Sequence, residues 1–251
     1  YAILQLQKLL FYKSCAVHFP ASFQQIVGFF HQKNVITTAI FDKKAFQEAR
    51  ARDYDSSHPF FKLFTDEIPR SLETIVGSFR SGKQNLFPSP YSFSGSIGKG
   101  MLADIFWFGV MDNKITNDPQ KGVYVVYLVS YDGKRIYLSL IQAINGAIRS
   151  AFECEETIRK LKAARGGLIE KIDNRLASAP ENYAEGFTKG PIDLSIVEGG
   201  NFFTAQAYQE ATLYSKEYDC DNVPSEEDLR QDLWKMLKIY GQYRSSLNTV
   251  K

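Results

Sequence analysis

The chain has 251 residues, 44% of them apolar and 23% charged, and a formal net charge of +2. That composition excludes a disordered or collagen-like chain and suits one large domain, or one domain with a smaller appendage. The near-balanced charge allows a local basic face without demanding a polyanionic partner. Cys15, Cys154 and Cys220 lie far apart with no paired-ligand spacing, which points to reduced thiols in a cytoplasmic protein. No apolar run reaches the ~18 residues of a membrane span. The start lacks both a signal-peptide pattern and an initiator Met, so the chain reads as a piece of something longer.

Residues 2–18 carry Ile3, Leu6, Leu9 and Leu10 at near-helical spacing, and Pro20 ends the pattern. Ser22 can cap a second helix with Phe23, Ile26, Val27 and Phe30 inward. The β-branched run 35–41 reads as a short strand, and Asp42 can cap a helix through Arg50. After a loop at 54–59, Thr65 can cap a helix whose Ile68, Leu72, Ile75, Val76 and Phe79 share one face. Residues 80–90, rich in Ser, Gly and Pro, read as a loop or linker.

From Tyr91 to Ala143 the chain reads as the sheet that the helices must cover. A short strand meets a turn at Gly98-Lys99-Gly100, an apolar segment carries Trp107, and a tight hairpin has Asp132-Gly133 at its tip. Val123, Val125, Tyr127 and Val129 alternate with Tyr124, Val126, Leu128 and Ser130. Both sets are largely apolar, so one face packs on helices while the other is at least partly shielded, and a tyrosine there can line a pocket. A helix is expected from Ala147 to about Leu176, weakened at Gly166-Gly167, with strands at 192–196 and 210–218. Ser225 caps a last helix with acids in its first turn, Lys235 and Lys238 nearer its end, and Leu229, Leu233, Met236, Leu237 and Tyr240 inward. The fold class is α+β: a mainly antiparallel curved sheet covered by helices, with an additional N-terminal helical segment.

Chemistry-bearing motifs are sparse. His18, His31 and His58 are isolated, so neither a metal site nor His-assisted nucleophilic catalysis is expected. Residues 77–84 imitate a phosphate-binding loop, but Gln84 stands where the motif needs Ser or Thr, and a helix precedes it instead of a strand. Gly95, Gly98 and Gly100 do not make a dinucleotide fingerprint. The pairs Glu155-Glu156 and Glu226-Glu227 sit among basic neighbours on helices and read as solvated faces. A binder without a cofactor is therefore expected, not an enzyme.

The succession SGSIGKG, then Trp107, then KGVYVVYL and YLSLIQ resembles the family of McrB-type N-terminal DNA-binding domains, the specificity modules of modified-cytosine restriction systems. FTKGPIDL (187–194), the run through Tyr208, Ala211, Thr212 and Leu213 with Lys216 and Tyr218, and VPSEEDLRQDL (223–233) continue the likeness. It covers roughly residues 65–251 and leaves 1–64 as a mostly helical extension of unknown role. The resemblance implies a domain that grips double-stranded DNA and flips a 5-methyl-type modified cytosine into a surface pocket. By position it implies Trp107, Tyr124 and Leu128 as the base pocket and Gly98-Lys99-Gly100 as the wedge turn. At the wedge the family carries an aromatic where this chain has Lys99; Phe106 replaces a proline, and Ile141-Gln142-Ala143 replaces Asn-Gln-Gly.

Aromatic stacking of about 1–3 kcal/mol per base suits Trp107 and Tyr124. One buried methyl is worth only about 0.8 kcal/mol, so pocket shape must add to any contact from Leu128. Lys99, Arg80, Lys83, Lys134 and Arg135 are candidate phosphate contacts, which position without specifying. The expected partners are modified duplex DNA and a nuclease or motor module in the same chain or a partner subunit, with no membrane. Two alternatives stand beside this: a protein-interaction module, or the nuclease itself with its catalytic residues in the first ~60 positions.

Overall fold

The structure, a computed structural model, describes residues 59–80, 90–100, 102–146, 148–196, 202–222 and 224–247. The elements expected before residue 59, and Lys83 with most of the 80–90 loop, lie outside the described residues. Among the described residues no helix is long and apolar enough to cross a membrane.

The first described element is a continuous helical run: α1 (Pro59–Lys62), one π-type segment (Leu63–Glu67) and α2 (Ile68–Arg80). Pro69 explains the wide turn. It has no N–H to donate and its ring crowds the carbonyl four residues back, and the neighbouring Ile68 N–H bonds instead to the Leu63 carbonyl, five residues away. The expected cap at Thr65 is therefore corrected. Thr65 lies inside the run, and its hydroxyl donates to the Phe61 carbonyl at 2.8 Å. The expected buried stripe is present, with Ile68, Leu72, Ile75 and Val76 all buried.

Six strands form one antiparallel sheet in the order β1-β2-β3-β4-β6-β5: β1 (Tyr91–Gly98), β2 (Leu102–Asp112), β3 (Val123–Val129), β4 (Arg135–Gln142), β5 (Thr188–Lys189) and β6 (Thr212–Asp219). The α+β reading thus holds. Between the strands come α3 (Ala151–Leu176) and α4 (Phe203–Ala211), and α5 (Glu226–Leu247) closes the described chain.

Three local readings are corrected. Helix α3 starts at Ala151, because the Ser150 side chain accepts the Glu153 N–H and caps it there; it then runs unbroken through Gly166-Gly167. Residues 192–196 are irregular: Asp193 accepts the Ser195 N–H at 2.8 Å in a side-chain-closed turn, and Ser195 takes a φ of +55°. The strand expected at 210–218 begins only at Thr212, since Glu210 and Ala211 end α4. Ser225 does cap α5, accepting the Asp228 N–H at 3.2 Å.

Strand parity divides the sheet into two faces. The back face carries Phe108, Val123, Val125, Tyr127, Leu138, Leu140, Tyr214 and Tyr218. Phe64 covers one end of it, its ring 5.8 Å from both Phe106 and Phe108. Helix α5 covers the middle. Its buried Asp232 accepts from Lys216 Nζ at 2.8 Å and from the Tyr218 hydroxyl at 3.1 Å. Tyr240 of the same helix donates to the Val123 carbonyl at 2.8 Å and accepts the Asp112 N–H at 3.1 Å, while Arg244 pairs with buried Asp112 at 3.0 Å. Helix α3 reaches the far edge through Asp173, which accepts from the Tyr214 hydroxyl. The set Val123, Val125 and Val129 is, as expected, the one on which helices pack.

Candidate functional site

The opposite, front face holds the residues singled out from the sequence. Trp107 on β2 pairs with Leu128 on β3, Leu128 with Tyr137 on β4, and Tyr137 with Glu217 on β6. Two residues along, a second row joins Ser94, Gly109, Val126, Ser139 and Ser215. Beyond it Tyr124 pairs with Ile141. Trp107, Tyr124 and Leu128 therefore share one face, across three successive rows.

Their exposure differs. Trp107 is half-buried, whereas Tyr124 is 1% and Leu128 0% exposed. Burial drives the Tyr124 phenol well above the ordinary tyrosine range, with Tyr208 and Asp118 adding to the effect. It is thus a neutral hydroxyl at any physiological pH. The β1 side of the face is the open side: Ser92, Ser94 and Ser96, which share this face, are all partly exposed.

At one end of the sheet β1 and β3 finish and β2 and β4 begin. The Gly98-Lys99-Gly100 turn lies here, with Lys99 and Gly100 exposed. Gly98 and Gly100 have φ of +119° and +75°, conformations that side-chain-bearing residues rarely adopt, so both glycines are required by the turn. The Ser96 hydroxyl accepts the Gly98 N–H at 3.1 Å, and the ladder shifts register between Ser96 and Gly98.

The β3–β4 hairpin ends on the same side. Lys134 is exposed there, and Gly133 takes a φ of +71°. Arg135 is already engaged: its guanidinium donates to Asp193 at 2.9 Å and to the Ser195 hydroxyl, and lies 3.8 Å from Glu217. The Ser195 N–H and then Arg135 hold the Asp193 carboxyl below the usual range. Cys220 is pushed up to about 12, first by burial and then by Asp219, Asp221 and Asp132. The hairpin end is thus rich in carboxylates. Arg80 is the last residue of α2, and its side chain, like Lys83, lies outside the described residues.

Segment 190–196 lies against the front face. The Leu194 N–H donates to the Gln209 side chain at 2.7 Å, and the Leu194 carbonyl accepts the Tyr131 N–H at 2.8 Å. Leu194 itself is fully buried. The sequence reading missed two front-face residues beside the singled-out set. Tyr137 stands opposite Leu128, with its hydroxyl 2.6 Å from Glu217. Ser139 lies a row further on and is fully buried. A hairpin centred on Asp132-Gly133 already places Tyr137 opposite Leu128, so the tip carried that signal.

The antiparallel sheet and its helical cover define an α+β domain. The family described as MrcB-like, N-terminal domain matches residues 43–245, and the chain belongs to that family of McrB-type DNA-binding domains. The resemblance drawn from the motifs is borne out, and the match begins earlier in the chain than those motifs reached. No curated protein matches the chain.

Proposed function

We propose that this domain is the DNA-recognition module of a modification-dependent restriction system. It reads a cytosine modified at C5 by taking the base out of the duplex onto the front face. The observation that carries this reading is the placement of Trp107, Tyr124 and Leu128 on one face, with half-buried Trp107 on the open β1–β2 side and the exposed Gly98-Lys99-Gly100 turn at the same sheet end.

Unstacking a base costs a few kcal/mol, and stacking against Trp107 returns about 1–3 kcal/mol. Lys99 cannot stack as an aromatic wedge would. It neutralises a phosphate or enters a groove while the flanking glycines allow close backbone approach. The duplex contact centres on this turn and not on the hairpin, where Asp132, Asp193, Glu217, Asp219 and Asp221 surround Lys134 and Arg135. Cleavage and nucleotide hydrolysis belong to another segment or subunit.

The test is a titration of matched duplexes with and without 5-methylcytosine across a salt series. Tighter binding to the methylated duplex, with affinity falling as salt rises, is expected because phosphate contacts release counterions. Salt-dependent binding without a methylation preference would remove the modified-base reading. The carboxylates at the hairpin end favour a second reading, a protein-interaction module, and absence of any DNA binding would leave that one standing.

A further inference from the structure

Only two aspartyl or asparaginyl residues in the sequence precede a glycine: Asp132 before Gly133 at the hairpin tip, and Asn145 before Gly146 in the connection from β4 to α3. Both glycines take a left-handed backbone, with φ of +71° and +78°. The two pairs differ in what holds them. At the tip, the Asp132 carboxylate accepts from the Ser130 hydroxyl at 2.6 Å and from the Lys134 N–H at 3.1 Å. The Gly133 N–H donates to the Ser130 carbonyl at 2.9 Å. Side chain and following nitrogen thus each have a partner.

Asn145 is exposed, and its side chain makes no hydrogen bond among the described residues. The Gly146 N–H reaches only the Ile144 carbonyl, 3.0 Å away, closing a three-residue turn. A Cβ built on Gly146 would meet nothing within 4 Å. The connection is anchored on either side of this pair. The Ala143 N–H donates to the Gly122 carbonyl at 2.8 Å, and Ile144 is buried. The Ile148 N–H donates to the Thr204 hydroxyl of α4 at 3.2 Å, and Ser150 caps α3. The Asn145 side chain stands between these anchors without adding one.

We propose that Asn145-Gly146 is a modification site, at which the folded chain deamidates and exchanges a neutral amide for a carboxylate in the β4–α3 connection. The Gly146 backbone nitrogen gives its proton to hydroxide and attacks the side-chain carbonyl carbon of Asn145. A new C–N bond closes a succinimide ring. The bond to the side-chain nitrogen breaks, and that nitrogen takes up a proton and leaves as ammonia. Water then opens the ring at either carbonyl. One product is aspartate; the other is isoaspartate, in which the main chain runs through the former side chain. The sum is one water consumed and one ammonia released, with nothing oxidised or reduced. Glycine favours the attack because no side chain crowds its nitrogen or restricts its backbone. Every other asparagine precedes a residue that carries a side chain. Isoaspartate adds a carbon to the main chain between buried Ile144 and the Ile148–Thr204 bond, and so loosens the tie to α4. None of this depends on what the front face binds.

The experiment incubates the full chain at neutral and at alkaline pH, natively and in urea. Peptide mapping with fragmentation that separates aspartate from isoaspartate follows every asparagine and Asp132. Asn145→Gln, whose longer side chain closes the ring poorly, is carried alongside. The expected native result is loss of the amide at Asn145 ahead of every other asparagine, with a shift of one negative charge, faster conversion at alkaline pH and an unchanged Asp132. Urea removes the Ser130 and Lys134 bonds and should bring Asp132 into reaction as well. In the purified isoaspartate form, hydrogen exchange at the Ile148 amide should be faster than in the starting protein. Asn145→Asp, which gains the charge without the extra carbon, should exchange like the starting protein. An Asn145 that keeps its amide in the folded chain overturns the proposal, even if it converts in urea. Charge variants that form equally fast in folded Asn145→Gln overturn it too, since the modification would then lie elsewhere.

Discussion

Trp107 and Leu128 stand directly opposite one another across the β2–β3 ladder, yet Trp107 is half-buried while Leu128 is wholly enclosed. One cross-strand pair thus joins the accessible rim of the front face to the protein interior. The two residues should separate experimentally. Leu128→Ala is expected to destabilise the fold by about 2–5 kcal/mol in urea denaturation, the range for emptying an enclosed leucine site. Trp107→Ala is expected to reduce stability less and to weaken binding to methylated duplex more than to unmethylated duplex. Equal loss on both duplexes would return Trp107 to a packing role.

Gly95 is where β1 passes closest to the preceding helical run. A Cβ added there would meet the Phe64 carbonyl at 2.1 Å and the Trp107 carbonyl at 3.0 Å, both of them backbone atoms that cannot rotate away. Gly95→Ala should therefore force strand and π-type turn apart and lower stability by about 1–3 kcal/mol or more. Gly166 supplies the opposite case. It lies mid-helix in α3, and a Cβ there would have nothing within 4 Å. Gly166→Ala should stabilise by about 0.5–1 kcal/mol through lost backbone freedom in the unfolded chain. Chemical denaturation of the pair, read together, checks both signs.

The sheet is largely legible from residues 91–143. Alternation marks the strands, and Asp132-Gly133 fixes the hairpin centre and hence the pairing of Leu128. The β1–β2 register is not legible, because the irregularity between Ser96 and Gly98 moves the pairing by several residues and no local residue type announces it. The irregular path of 192–196 is hidden for a similar reason. Ile192, Leu194 and Ile196 alternate like a strand, yet the Asp193 side chain closes a turn and Arg135, distant in sequence, holds it. Shared facing of Trp107, Tyr124 and Leu128 follows from parity once β2 and β3 are aligned. Their unequal burial does not, since it depends on α4 and segment 190–196 arriving from much later in the chain.

Arg135 is a candidate phosphate contact by sequence, but its side chain is committed to Asp193, Ser195 and Glu217. Arg135→Ala should leave the slope of DNA affinity against salt nearly unchanged, while Lys99→Ala lowers it by about one phosphate contact. In hydrogen exchange, Arg135→Ala should speed the amides of Leu194 and Tyr131, which bond within the segment it anchors. The global stability change should be small, because Asp193 is mostly exposed and exposed ion pairs contribute little. The Asp193 carboxyl is depressed, so the contribution of this link is present above the unfolded carboxylate value and disappears as pH falls through the lower, folded one. The accelerated exchange seen in Arg135→Ala should accordingly appear in the wild type under acid conditions.

The carboxylates of the hairpin end can be probed through Cys220, whose N–H donates to the Lys134 carbonyl and so ties β6 to the hairpin tip. Its thiol is raised from 9.0 to about 12, by burial first and then by Asp219, Asp221 and Asp132. A raised thiol means that the folded state prefers the neutral form. The associated stability is complete below 9.0 and is lost as pH climbs from there toward 12, where the unfolded chain ionises and the folded chain does not. Two measurements follow. Urea midpoints should fall with pH across that window and fall less in Cys220→Ser. Site-resolved alkylation of native protein at pH 9 should leave Cys220 far less modified than a free thiol, because the thiolate is the reacting species. Asp219→Asn and Asp221→Asn should each increase that modification, by a margin that shrinks in high salt. A Cys220 that titrates like a free thiol, indifferent to both substitutions, would show that no such field exists at the hairpin, and the reason for centring the duplex contact on Lys99 instead of Lys134 would go with it.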